Sequence, residues 1–129
     1  MKFFGISGYS TEKVARLKER QDVEGLIKVL RNGKGKPRAL AWCGLISIGT
    51  RSIQPLIKLL DDSDETLKGK AAGALDSITA GQLNFGEDHV KWKDWWCENE
   101  GAIPDIGNNF GENMYQQMMT DPEDMFDGS

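Results

Sequence analysis

The chain predicts an all-α protein, a short α-solenoid of two helical hairpins with flanking capping helices and an acidic C-terminal tail. Three observations predict it. The sequence repeats itself without a gap at an offset of 30 residues, and a fixed period of that order marks a stacked helical array. Each copy carries apolar residues at i, i+3, i+4 and i+7, the stripe of an amphipathic helix. Capping and stop residues bound each stripe.

The repeats span about 22–51 and 52–81. Across residues 23–48, eight positions recur in the second copy: Leu26, Ile27, Lys28, Leu30, Ala41, Leu45, Ser47 and Ile48. The first helix of each copy presents Val23, Leu26, Ile27 and Leu30, then Ile53, Leu56, Ile57 and Leu60. Asp22 and Ser52 stand where N-caps are needed. Pro55 falls in a first turn, where its missing N–H does little harm. The second helix begins near Pro37 in copy one and at Ser63 or Asp64 in copy two. Small residues at Ala41, Gly44, Ala71 and Ala74 permit close helix approach, and Gly49 and Gly81 stop the helices by accepting a left-handed backbone.

The patterns Gly25-Leu26-Ile27-Lys28-Val29-Leu30 and Pro55-Leu56-Ile57-Lys58-Leu59-Leu60-Asp61-Asp62, followed by Lys70-Ala71-Ala72-Gly73-Ala74-Leu75, resemble HEAT repeats. They are similar to the short prokaryotic type first named from phycobilisome-lyase proteins. Residues 78–99, ending in Trp92-Lys93-Asp94-Trp95-Trp96-Cys97-Glu98-Asn99, resemble a segment found after the last such repeat. Arg38 and Lys68 supply the base common early in the family's second helix. The first connecting loop departs from the family, being basic and Gly-rich. The resemblance covers roughly residues 11–100 and implies the fold; it is nearly silent on function.

Two hairpins alone bury too little, and about three units are normally needed. Two flanking helices are expected to complete the stack. One covers residues 11–21, with Ser10 or Thr11 as cap and Val14 and Leu17 inward. The other is a Trp-rich capping helix over about 88–99, with Asp88 as cap. Residues 1–100 thus form the repeat domain, and 101–129 an acidic, Met-rich tail, partly disordered or a docking segment. Within the tail, Phe110, Met114 and Met118 follow an i, i+4, i+8 row that predicts a helix from about Asn109 to Met119. Gly111 weakens that helix by ~1 kcal/mol.

The net charge of −4 hides an asymmetry. Residues 1–93 hold all 16 Lys and Arg against 11 acids, net +5, while 94–129 hold nine acids and no base, net −9. No acid occurs from Gly25 to Leu60. The run Lys28, Arg31, Lys34, Lys36 and Arg38, with Trp42 beside it, is therefore the candidate surface for an acidic protein partner. Met114, Met118 and Phe126 are the candidate second contact, since Met and Phe among acids suit adaptable docking. The competing readings are plain. A charge run is commonly a solvated face, and Trp42 suits core packing against Val14 and Leu17. Trp92, Trp95 and Trp96 suit an aromatic lid more than an exposed platform.

No catalytic set emerges. His89 is the sole histidine, so a His-rich metal site is excluded. Asp61, Asp62, Asp64 and Glu65 lack the central Gly and final Glu of a calcium loop. Gly33-Lys34-Gly35-Lys36 lacks the spacing of a phosphate loop, and no GxSxG occurs. Cys43 and Cys97 read as reduced thiols of a cytoplasmic protein. No apolar run approaches the ~20 residues that cross a bilayer. The expected function is a non-catalytic protein-binding or scaffold module with no cofactor and no membrane partner. The alternatives are an accessory or lyase-like enzyme, on family analogy alone, and a nucleic-acid-binding repeat protein, which the acidic balance and lack of interleaved aromatics disfavour.

Overall fold

A computed structural model describes residues 9–101 and 107–120. Within them all regular structure is helical: α1 (Thr11–Glu19), α2 (Val23–Asn32), α3 (Gly35–Ile48), α4 (Ile53–Leu59), α5 (Glu65–Ile78), α6 (His89–Asn99) and α7 (Asn109–Thr120), with one 3-10 turn at Gly49–Ser52.

The caps explain most boundaries. Ser10 Oγ accepts from the Lys13 N–H and Asp22 from Gly25; Asp64 accepts from Thr66 and Leu67, and Asp88 from Lys91. Each satisfies a first-turn donor that the helix itself cannot. Ser52 does not act as the expected cap. Ser52 and Ile53 carry the chain from the 3-10 turn into α4 in right-handed conformation, and α4 has no side-chain cap bond. Ser52 is instead wholly buried and donates to Leu45 O at 2.7 Å. Gly49 and Gly81 have the expected positive φ, +79° and +68°.

α2 packs on α3 and α4 on α5, while α3 lies against α5 and α2 against α4. The two helix pairs therefore sit side by side at the 30-residue offset. α1 packs on α2 and α3, and α6 covers α4. Leu26, Leu30, Leu45, Leu56 and Leu75 are all fully buried, each contributing about 1.5–3 kcal/mol relative to exposure. Trp92 and Trp96 join that core. Trp92 is sealed by its Nε1 bond to Gly86 O at 2.8 Å and by an edge-on contact with Phe85. α6 lays these indoles against α4, and Trp95 alone of the three is half-buried.

α7 lies along α3 and touches α5. Tyr115, 4 % exposed, belongs to the same core as the repeats, so the division expected near residue 100 does not separate two cores. Gly111 is the reason α7 fits. A Cβ there would stand 2.5 Å from Ser47 N and 2.6 Å from Ile46 Cγ2, closer than any side chain permits. The residue that weakens α7 as an isolated helix allows it to seat on α3.

Candidate functional site

The expected basic surface is only partly open. Lys28 and Lys34 are exposed. Arg31 is exposed but pairs with Asp62, Nη1 to Oδ2 at 2.9 Å. Asp62 is held below the usual carboxylate range, first by the Asp64 backbone N–H and then by Arg31. At the opposite end of α2 and α4, Arg51 Nη1 donates to Gln21 Oε1 at 2.7 Å. Gln21 and Arg51 are 30 residues apart, so repeat-equivalent positions brace each other. Arg31 thus serves the seam between the copies, and Arg51 ties the entry of α4 to the entry of α2. Lys36 is buried, 7 % exposed, in the first turn of α3 and is engaged in contacts of its own. Arg38 is half-buried, and its Nε has no hydrogen-bond partner among the described residues.

Trp42 is anchored at the α3–α5 seam rather than left on the surface. Its Nε1 donates to Lys70 O at 2.8 Å, and its ring passes over Gly73, whose missing side chain makes the room. Met114 and Met118 are half-buried and pack on the core, so they hold α7 down. Phe126 lies outside the described residues.

Sequence reasoning missed the polar seam beneath α7. Lys18 Nζ lies 2.7 Å from Glu112 Oε1, and Ser47 Oγ donates to the same oxygen at 2.7 Å. Gln116 Nε2 donates to Glu112 Oε2 at 2.8 Å. Hydrogen bonds from Lys18, then Gln116, then Ser47 hold the Glu112 carboxyl down to about 2. Lys18 Nζ also stands 4.5 Å from the Tyr115 ring centroid, a cation–π contact. Burial, then Glu112, raises the Tyr115 phenol. Cys43 Sγ meets Met118 Sδ at 3.6 Å, and burial pushes that thiol up to about 11. A thiol so protonated is a poor nucleophile at neutral pH. Glu112 is ionised there and already holds three donors. The group clasps one helix to two others and holds no poised acid or base.

Asn108 begins α7 and joins the copies. Its N–H donates to Ser47 O at 2.9 Å, and its Nδ2 reaches Ser77 O at 3.4 Å. Its Oδ1 caps α7 by accepting from Gly111 N. Asn108 thereby bridges the C-terminal ends of α3 and α5, adding to the backbone bond that Ser77 O already accepts from Ala80 N.

Beside Asn108 lies a cleft of about 360 Å³, lined by Ile53, Ile78, Leu83, Trp95, Thr50 and Gln82 among others. None of its lining residues is charged. Its signal in the sequence was Trp95 alone; the other walls come from four separate elements. Among the described residues no group of three or more His, Cys, Asp or Glu could hold a metal ion, and no helix is long and apolar enough to cross a membrane. No protein-family model, curated protein or solved structure matches the chain.

Proposed function

We propose that the protein is a short HEAT-like α-solenoid that acts as a non-catalytic binding module for an acidic protein. The observation that carries this reading is the pair Lys28 and Lys58. They are identical positions of the internal repeat, both exposed on adjacent helices α2 and α4. No acid lies between Gly25 and Leu60 to neutralise them in the sequence. Exposed Lys34 extends the same positive field at the α2–α3 connection. Charge of one sign on a rigid face steers an oppositely charged partner and orients it.

Two further features support the reading. The side-by-side pairing of α2/α3 and α4/α5 suits a repeat stack, whose extended faces serve recognition. The seating of α7 on α3 illustrates that this stack can hold a helix through a small-residue contact and a few anchoring side chains.

Affinity capture from native cells, after nuclease treatment, tests the proposal with the wild type and a K28E/K58E variant. Both substitutions are on exposed side chains, so the core is untouched. The proposal expects a protein partner that survives nuclease and is lost from the variant. Capture of nuclease-sensitive material alone, or a partner held equally by both forms, overturns it.

A further inference from the structure

We infer that the cleft beside Asn108 binds a small uncharged molecule that joins a flat apolar body to a hydrogen-bond donor, as a primary aromatic carboxamide does.

The walls set the size and the charge. The cleft holds about 360 Å³, within the range of small-ligand pockets, roughly 300–1,000 Å³. Among the described residues its lining carries no charged side chain. A carboxylate or an ammonium would shed water there without a counter-charge, which is costly. Ile53, Ile78 and Leu83 join Trp95 as the apolar walls.

Trp95 gives the flat body its contact. Its ring stands edge-on to Trp92, with centroids 5.9 Å apart at 88°, and tilted against Trp96 at 6.0 Å. Both neighbours belong to the core, so the indole is held in place before a ligand arrives. Trp95 itself is half-buried and keeps surface for a ligand to cover. A wall fixed in advance lowers the ordering cost of binding.

The helix ends give the donor its target. α3 closes at Gly49 and α5 at Thr79, and both closing residues line the cleft. A helix C-terminus presents carbonyls and negative partial charge. Neither helix has a basic residue in its last turn to answer that charge, and α5 adds Asp76 there. Thr79 Oγ1 donates its proton to Leu75 O at 2.9 Å, so it has only lone pairs to offer a ligand. Both helix ends and the Thr79 hydroxyl therefore favour a donor and disfavour an anion. None of the lysines of the proposed partner-binding face lines the cleft, so the two sites are tested separately.

The test titrates benzamide into the ¹⁵N-labelled full chain at pH 7, beside acetophenone, benzoate and benzylammonium, which keep the ring and change the head group. Benzamide should give saturable shifts of the Ile53, Thr79 and Leu83 amides and of the Trp95 indole N–H. It should bind several-fold more tightly than each of the other three. Trp95→Ala, and Gln82→Trp at an exposed wall residue, should each weaken benzamide several-fold while the amides of α1 and α2 stay where they are. No saturable shift at those positions, binding of any of the other three as tight as that of benzamide, or undiminished binding by Gln82→Trp would overturn the inference.

Discussion

Ser47 and Ser77, identical residues 30 positions apart in the internal repeat, both present their carbonyl oxygens to Asn108. One residue thus meets both copies at their C-terminal ends while capping α7 through Gly111. Asn108→Ala should cost about 1–2 kcal/mol, the range of a lost cap, read as a shift in urea midpoint. Ser77→Ala keeps the accepting carbonyl and should stay within about 0.5 kcal/mol.

Glu112 makes stability depend on acid. Its carboxyl is held at about 2, below the unfolded value near 4.3. A depressed carboxyl contributes fully above the unfolded value and loses its contribution as pH falls through the folded one. The Glu112 side chain is 38 % exposed, so solvent screening keeps the pair with Lys18 to about 1 kcal/mol. Urea unfolding of wild type and Glu112→Gln should differ by that order at pH 7. The difference should fade between about pH 5 and pH 2.

Gly111→Ala sets two effects against each other. Ala favours a helix by ~1 kcal/mol, yet its Cβ would fall 2.5 Å from Ser47 N. Backbone cannot yield as a flexible side chain can, so the clash should win, with a net loss of about 1–3 kcal/mol. Gly101→Ala, where a Cβ meets nothing within 4 Å, should be close to neutral. Chemical denaturation of the two variants side by side reads the contrast.

The cysteines should react in sequence. Cys97 is exposed and Cys43 buried, with its thiol pushed up to about 11. An aromatic disulfide reagent at pH 8 should titrate one thiol quickly. The second should appear only with denaturant, since both access and thiolate are lacking in the fold.

Trp42→Phe should cost about 1 kcal/mol, because it keeps most of the ring and removes the Nε1 bond to Lys70 O. The released acceptor is a partly buried carbonyl. Thermal unfolding of the variant measures the loss.

Much of the helical framework was legible in the residues. The stripes Leu26-Ile27-Leu30 and Leu56-Ile57-Leu60 became the buried faces of α2 and of α4 with its C-cap, because an i, i+1, i+4 spacing leaves a helix one way to hide them. Asp22, Asp64 and Asp88 capped as their positions demanded. Ser52 did not, because it is the last residue of the 3-10 turn that leads into α4, with its buried hydroxyl given to Leu45 O. The row Phe110, Met114, Met118 foretold α7 but not its seat. Periodicity reports that a helix has an apolar face, not which surface covers it. Phe110 shows the limit, being 57 % exposed. The Lys18–Glu112 contact joins the first described helix to the last, and no local pattern encodes a pairing between them. The basic run was legible as charge, but its division into a seam brace, Arg31, and an open lysine, Lys28, needed the packing of α2 on α4.

Amide hydrogen exchange across α3 and α7 tests the clasped helix most directly. With Glu112, Tyr115 and Met118 bound to α1 and α3, the amides of residues 114–118 should be protected in the same class as those of residues 41–46 and open with them. Exchange of the α7 amides at unstructured rates, while α3 stays protected, would contradict a single stack that holds its last helix.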